Sequence, residues 1–392
     1  HAPSFEDWIG AYDGQTEWQP VEERDPCMLC YTSGTTGNPK GVLYEHRSTL
    51  LHAMAGVQPN LFDADSRTVV LPVVPMFHAA SWGLPWAGTI PGIKFVYSQV
   101  NDPKILCDLM DREKVTHSAG VPTVWLAMFN YLDSIGKDVR DVGKLRRAII
   151  GGSAAPRFMI ERLMKNGVSV AHAWGMTETS PIGTTGSPPA NWDELSFDEQ
   201  VELVMKQGRP AFGVQLRCVD LGDPTKVLPR DGETSGALQV RGPWVIKRYF
   251  KAEEDATDED QWFDTGDVAV IHPEGSLQLT DRTKDVIKSG GEWISSVELE
   301  NAAVGHPAIA EAAAIGISHP KWDERPILVC VAKPDMVVSA DEILDHLRDK
   351  VAKWWMPDAI EFVDEIPHTG TGKISKKDLR ERFRDYRLER VE

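Results

Sequence analysis

The sequence predicts an α/β protein: a large N-terminal domain built on parallel α/β sheets with an added β subdomain, then a small, mobile α+β C-terminal domain. Three observations carry this. Between residues 27 and 173, short apolar runs alternate with helical stretches, the pattern of a parallel sheet. After Gln207 the texture changes to strands separated by Gly, Pro and Asp turns, which predicts a β subdomain. Past Asp281 helices and strands follow in a compact order that reads as a separate domain spanning 282–392, leaving 1–281 to the first domain.

In chain order, residues 1–26 read as an irregular, acidic lead-in. Cys27–Thr32 is a short strand that runs into a loop, and a helix begins near His46. Strands are predicted at Thr68–Val74, Val115–Ala119, Arg147–Ile150 and Ser169–Ala173, with helices at Asp102–Glu113 and Pro156–Lys165. The β subdomain takes Val214–Val219, Gly236–Arg241 and Val268–His272. The last domain takes helices Ser296–Ala303 and Ser339–Lys353, and strands Ala310–Ile315, Ile327–Lys333 and Ala359–Phe362. Its entry, Asp281-Arg282-Thr283-Lys284, reads as a hinge.

Composition narrows the function classes. Of the 392 residues, 42% are hydrophobic and 26% charged, a globular balance. A formal net charge of -17 repels phosphodiester backbones, so a nucleic-acid partner is not expected and an anionic ligand must be held by local features. Val69–Phe77 is the nearest approach to a membrane helix, and Pro72 and Pro75 break it, so stable membrane insertion is not expected. Five cysteines without framework spacing point to a reducing compartment, the cytoplasm. Cys27 and Cys30 form a lone CxxC on a strand, where positions three apart face opposite ways, so buried thiols are preferred over a metal site.

Five segments carry chemistry. Thr32-Ser33-Gly34-Thr35-Thr36-Gly37-Asn38-Pro39-Lys40-Gly41 combines three glycines, four hydroxyls and a lysine. Glycines let backbone N–H groups converge, which suits polyphosphate, and the spacing differs from a Walker A loop. Gly151-Gly152-Ser153-Ala154-Ala155-Pro156 lies at a strand end before a helix, where open α/β sheets bind ligands and small residues admit a flat base. In Ala173-Trp174-Gly175-Met176-Thr177-Glu178-Thr179, Trp174 can stack on a purine, Thr177 can donate to phosphate and Glu178 is a hard oxygen ligand for Mg²⁺. Trp262-Phe263-Asp264-Thr265-Gly266-Asp267, with Asp281-Arg282, sets a carboxylate at a strand start for ribose hydroxyls and an arginine beside it. Thr369-Gly370-Thr371-Gly372-Lys373 puts a lysine on a glycine-rich tip able to reach another domain's site. Each has a plainer reading in isolation: a flexible loop, an ordinary strand–helix turn, a core tryptophan, a turn aspartate, a solvated basic loop.

Together the five segments resemble the acyl-adenylate-forming superfamily of acyl-CoA synthetases, luciferases and nonribosomal-peptide adenylation domains, across essentially the whole chain. The resemblance implies ATP and Mg²⁺, with coenzyme A as co-substrate. It implies that Thr32–Gly37 and Lys40 hold the phosphates, that Gly152, Ser153, Ala154 and Trp174 line adenine, and that Thr177 and Glu178 serve phosphate and metal. Asp267 and Arg282 would hold the ribose, Lys284 would be the hinge and Lys373 the adenylation lysine. Gly291, in Lys288-Ser289-Gly290-Gly291-Glu292-Trp293, would line the pantetheine tunnel, and His78, with Trp82 and Trp86 near it, the acyl pocket. Tryptophan at 174 is similar to the medium-chain fatty-acyl branch, which includes the methylmercaptopropionate–CoA ligases of marine bacteria that degrade dimethylsulfoniopropionate.

The implied activity is AMP-forming activation of a short or medium-chain carboxylic acid and its transfer to coenzyme A. A carrier-protein thiol as acceptor and a silent nucleotide-binding scaffold are the alternatives. The resemblance also allows a homodimer. One departure stands out: only 32 residues precede Ser33, fewer than members of the superfamily carry. This predicts that a missing N-terminal segment of the same protein belongs with the chain.

Overall fold

The computed structural model describes residues 4–15, 17, 19–32, 38–290, 292–334, 336–369 and 373–388. Strands β1 (Pro26–Tyr31) and β2 (Gly41–Glu45) pair antiparallel and frame the phosphate-loop candidate. A seven-stranded sheet follows, built from β3 (Val69–Pro72), β4 (Lys94–Phe95), β5 (His117–Gly120), β6 (Arg147–Ile150), β7 (Ser169–Gly175), β8 (Ile182–Thr185) and β9 (Arg209–Pro210). Its order is β4-β3-β5-β6-β7-β8-β9; the first five strands are parallel, and β8 and β9 add antiparallel.

Helices Pro103–Glu113, Pro122–Ser134, Arg157–Lys165 and Phe197–Met205 accompany this sheet. The first starts where the side chain of Asp102 accepts from Ile105 N at 3.0 Å, with Pro103 at the position that tolerates a missing N–H. Leu106, Met110, Trp125, Leu132, Met159, Ile160 and Leu163 from these helices pack on Leu71 and Ile150 of the strands in one buried cluster. Because β3, β5, β6 and β7 are parallel, the loops after them open on one edge, and that edge carries His78, Gly151–Ala154 and Trp174–Glu178.

Strands β10 (Gln215–Val219), β11 (Gly236–Arg241), β12 (Phe263–Ile271) and β13 (Leu277–Arg282) form an antiparallel meander. Strands β14 (Ile287–Ser289), β15 (Glu292–Ile294), β16 (Ile309–His319), β17 (Asp323–Ala332) and β18 (Ala359–Phe362) form the sheet of the smaller C-terminal domain, with helices Ser296–Val304 and Ala340–Leu347. The buried clusters respect this division. Those of the N-terminal part draw on residues up to Leu277, and those of the C-terminal part begin at Ile287. Between them, Asp281 at the end of β13 accepts from Ser296 N at 2.6 Å, capping the first helix of the C-terminal domain. Arg380 reaches Asp285 at 2.6 Å, and Lys376 pairs with Glu300 at 2.7 Å.

Four expectations are corrected. The lead-in is not wholly irregular: Ser4 caps a helix over Phe5–Ile9 by accepting from Asp7 N. Strand β12 starts at Phe263 rather than Val268, so Asp267 lies inside a strand and not at its start. Gly266 at φ 69° and a register shift against β11 interrupt the alternation there, which hides the first half of the strand. The helix expected over Ser339–Lys353 ends at Leu347, because Arg348, Asp349 and Lys350 are exposed and have no face to bury. The expectation of two buried thiols holds for Cys30 alone: Cys27 is exposed on β1, because positions three apart on a strand face opposite ways.

Candidate active site

The base of the phosphate-loop candidate is closed by two hydrogen bonds, Thr32 N to Lys40 O at 2.9 Å and Lys40 N to Thr32 Oγ1 at 3.0 Å. The candidates Ser33, Gly34, Thr35, Thr36 and Gly37 lie outside the described residues, as does Gly291. Lys40 holds its ammonium 4.7 Å above the Tyr249 ring, a cation–π contact. At Gly41 a Cβ would stand 3.0 Å from Phe250 Cβ, so the absence of a side chain lets the loop's exit lie against that segment.

The end of β7 turns into the buried 3₁₀ turn Thr177–Thr179. Tyr44 donates its hydroxyl to Thr177 O at 2.8 Å, and Tyr249 donates its hydroxyl to Glu178 Oε1 at 2.8 Å. Burial and the Glu178 carboxylate push the Tyr249 phenol up from its usual range, so it stays a donor. Trp174 is buried, with its ring seated over Gly183, which has no room for a Cβ. Its Nε1–H donates to Asp267 Oδ2 at 2.8 Å, while Arg282 Nε reaches Asp267 Oδ1 at 2.9 Å. Asp267 and Arg282 are direct cross-strand partners of β12 and β13, so pairing register sets the ion pair. The Asp267 carboxylate, through its charge, raises the Arg282 guanidinium above its ordinary value.

Lys373 lines the same cavity, half-buried, although it follows β18 in the C-terminal domain. A Cβ on Gly152, which has φ 83°, would come 3.2 Å from Lys373 Cε. Burial, then the charge of Arg282, lower the Lys373 ammonium to about 8, against the pull of Asp267 and Glu178. His78 is held down to about 4 by burial and the nearby Lys373 charge, so it is neutral at pH 7. Lys284 is lowered as well, by partial desolvation of its ammonium.

A cavity of about 530 Å³ collects these groups, with Thr32, Lys40, His78, Trp82, Gly152, Trp174, Thr177, Glu178, Arg282, Lys284 and Lys373 among its lining. Ser153, Ala154 and Asp267 face an adjoining cavity of about 280 Å³, which shares Gly152, Trp174, Arg282, Lys284 and Lys373 with the first. Trp86 is not among the described lining residues of either and packs against the core instead.

The donor set suits Mg²⁺ carried in by phosphate. The Glu178 carboxylate and the Thr177 side chain line one cavity with Lys40. Among the described residues no group of three or more His, Cys, Asp or Glu could enclose a metal alone. Mg²⁺ characteristically takes one or two carboxylates plus substrate phosphates, which fits this sparse set.

Sequence reasoning missed three features. Tyr44 and Tyr249 sit in no local motif, and only the fold brings them to Thr177 and Glu178. The third is the turn Ala79–Trp82, whose four non-glycine residues have φ from 44° to 57°. Such left-handed backbone costs about 1–2 kcal/mol per residue, and strain of this kind clusters at functional sites. It seats Trp82 over Gly151 in the cavity wall.

Residues 3–250 match the family model described as AMP-binding enzyme, and residues 298–373 match the AMP-binding enzyme C-terminal domain. The chain belongs to the AMP-binding enzyme family. Among relatives of this family, a medium-chain-fatty-acid–CoA ligase of Ectopseudomonas oleovorans is 46% identical over 387 residues, covering 98% of this chain and 70% of the relative. A 3-methylmercaptopropionyl-CoA ligase of Ruegeria pomeroyi is 45% identical over 383 residues, covering 97% of this chain and 70% of the relative. An O-succinylbenzoate coenzyme A synthetase from Bacillus subtilis, in complex with ATP and magnesium ion, superposes with a TM-score of 0.77 at 27% identity, over 94% of this chain and 73% of that one. Among AMP-binding enzymes the chain thus keeps company with acyl-CoA synthetases, and both its domains match.

Proposed function

We propose that the chain is an ATP-dependent acyl-CoA ligase that activates a short or medium-chain carboxylate, 3-methylmercaptopropionate being a candidate, as acyl-AMP and passes it to coenzyme A. The observation that carries this reading is the convergence of Lys373 from the C-terminal domain with Gly152, Arg282 and Glu178 of the N-terminal domain around one cavity.

In the first half-reaction a carboxylate oxygen attacks the α-phosphorus of ATP, the bond to the pyrophosphate oxygen breaks and pyrophosphate leaves. Lys40 and the loop it closes hold the phosphates, and Asp267 with Arg282 holds the ribose. Glu178, with Thr177, would hold Mg²⁺, which neutralises phosphate charge when bound. Lys373, positively charged near pH 7, stabilises negative charge gathering on the α-phosphate. Neutral His78 adds no charge beside the acyl group.

In the second half-reaction the thiol sulfur attacks the acyl carbon, the carbon–oxygen bond to AMP breaks, and the thiol proton is released. Lys373 must first withdraw to admit the thiol. We place the hinge at Lys284 and the domain boundary between 281 and 282. The separate cores on either side support that boundary, since few buried apolar contacts need be broken by rotation. Gly291, which follows the hinge in the sequence, is the residue we assign to the pantetheine path. All five cysteines are free, which supports the cytoplasm as the compartment. Among the described residues no helix is long and apolar enough to cross a membrane.

Leu61, Phe62, Trp82, Ile149 and Ile182 are apolar lining of the cavity, and we assign them to the acyl chain, with Trp82 as the residue whose bulk limits its length. AMP formation across a panel of acids tests the reading. Hexanoate and 3-methylmercaptopropionate should turn over at least tenfold better than palmitate by kcat/KM, since mismatch in an apolar pocket is worth about 1–3 kcal/mol. Preference for palmitate would overturn the size assignment. Acyl transfer only to a carrier-protein thiol would overturn the acceptor.

A further inference from the structure

We propose that Tyr249 is a positioning residue that couples the phosphate loop to the Glu178 carboxylate, so that nucleotide phosphates and Mg²⁺ are engaged together. The proposal rests on the acyl-adenylate reading of the cavity. Tyr249 touches both sides at once, its hydroxyl at 2.8 Å from Glu178 Oε1 and its ring under the Lys40 ammonium at 4.7 Å.

The segment that carries Tyr249 is pinned to the same two places through its backbone. Ile246 N donates to Glu178 O at 2.9 Å, and Phe250 N donates to Gly41 O at 2.8 Å. Ser180 Oγ donates to Trp244 O at 2.6 Å just before it. Residues 244–250 therefore form a strap from the Thr177–Ser180 turn to the exit of the phosphate loop. Tyr249 is the side chain on that strap placed to sense both ends. Its hydroxyl occupies one carboxylate oxygen of Glu178 and fixes the rotamer of a group that would otherwise swing, as outer partners of ligating carboxylates do. Its ring holds Lys40, a long side chain with much rotamer freedom, over the cavity before nucleotide arrives.

The two contacts separate by substitution. Tyr249→Phe keeps the ring and removes the donor, while Tyr249→Leu removes both. ATP binding by titration calorimetry at rising Mg²⁺ is the direct readout, paired with pyrophosphate release and with thioester formation from preformed acyl-adenylate. Tyr249→Phe should raise the Mg²⁺ midpoint for ATP binding about 10-fold, the usual effect of losing an outer-shell partner, with little change in ATP binding without Mg²⁺. Tyr249→Leu should weaken ATP binding with and without Mg²⁺. Both variants should slow pyrophosphate release far more than thioester formation. A Tyr249→Phe protein with the wild-type Mg²⁺ midpoint, or equal losses in both half-reactions alongside a lowered melt, would overturn the coupling and leave the acyl-adenylate reading standing. A wild-type chain that binds no ATP would overturn both.

Discussion

Lys373→Ala is expected to lower acid-dependent pyrophosphate release by about 10²–10³-fold while thioester formation from preformed acyl-adenylate stays within a few-fold of wild type. The ammonium stands beside Gly152, near enough to Arg282 and His78 that their titration feels its charge or it feels theirs. A positive group so placed acts on charge that develops during adenylation and has no equivalent task once pyrophosphate has gone. The same burial makes the effect pH-dependent. With Lys373 lowered to about 8, the charge is present below that pH and lost as pH rises through it. Wild-type kcat/KM for pyrophosphate release should therefore fall on the alkaline side with a midpoint near 8, and the Lys373→Ala profile should lack that limb. Equal loss in both half-reactions would contradict the division of labour between them.

Asp267→Ala should raise the KM for ATP by about 10- to 100-fold and also lower the melting temperature. Two effects of different origin add here. The ribose would lose its carboxylate partner, and a charged hydrogen bond lost on binding is worth about 1.5–3 kcal/mol. Inside the protein, Trp174 Nε1–H would be left buried without its acceptor and Arg282 without its counter-charge. An orphaned buried donor costs about 1–3 kcal/mol, equivalent to a few degrees in a melt of a domain this size. Asp267→Asn, which retains an acceptor oxygen for the indole, should recover most of the melting temperature and little of the ATP affinity. If both variants melted like wild type, Asp267 would not be what holds Trp174 and Arg282 in place.

Much of the fold was legible because its signals are local. The strands Arg147–Ile150 and Ser169–Gly175 are short buried runs, and the parallel sheet follows from the helices between them. Strand β12 was half hidden because Gly266 breaks its alternation, and the short antiparallel additions β8 and β9 have too few residues to show a period. The site was legible where one motif holds several groups, as in Trp174, Thr177 and Glu178. It was illegible where a contact is purely tertiary. Tyr249 meets Glu178 across 71 positions, and Trp174 meets Asp267 across 93. The indole was expected on the purine, and its N–H proves to be engaged by the carboxylate proposed for the ribose. Thus the residue proposed for the adenine wall also holds the carboxylate proposed for the ribose, a pairing that no spacing in the sequence encodes.

In the proposed reaction an acyl-adenylate forms before coenzyme A takes part. Exchange of labelled pyrophosphate into ATP, measured with hexanoate or 3-methylmercaptopropionate and without coenzyme A, tests it most directly. Exchange should require both the acid and Mg²⁺, and should fall about 10²–10³-fold in Lys373→Ala. Exchange that appears only when coenzyme A is added, or cleavage of ATP to ADP and phosphate, would contradict it.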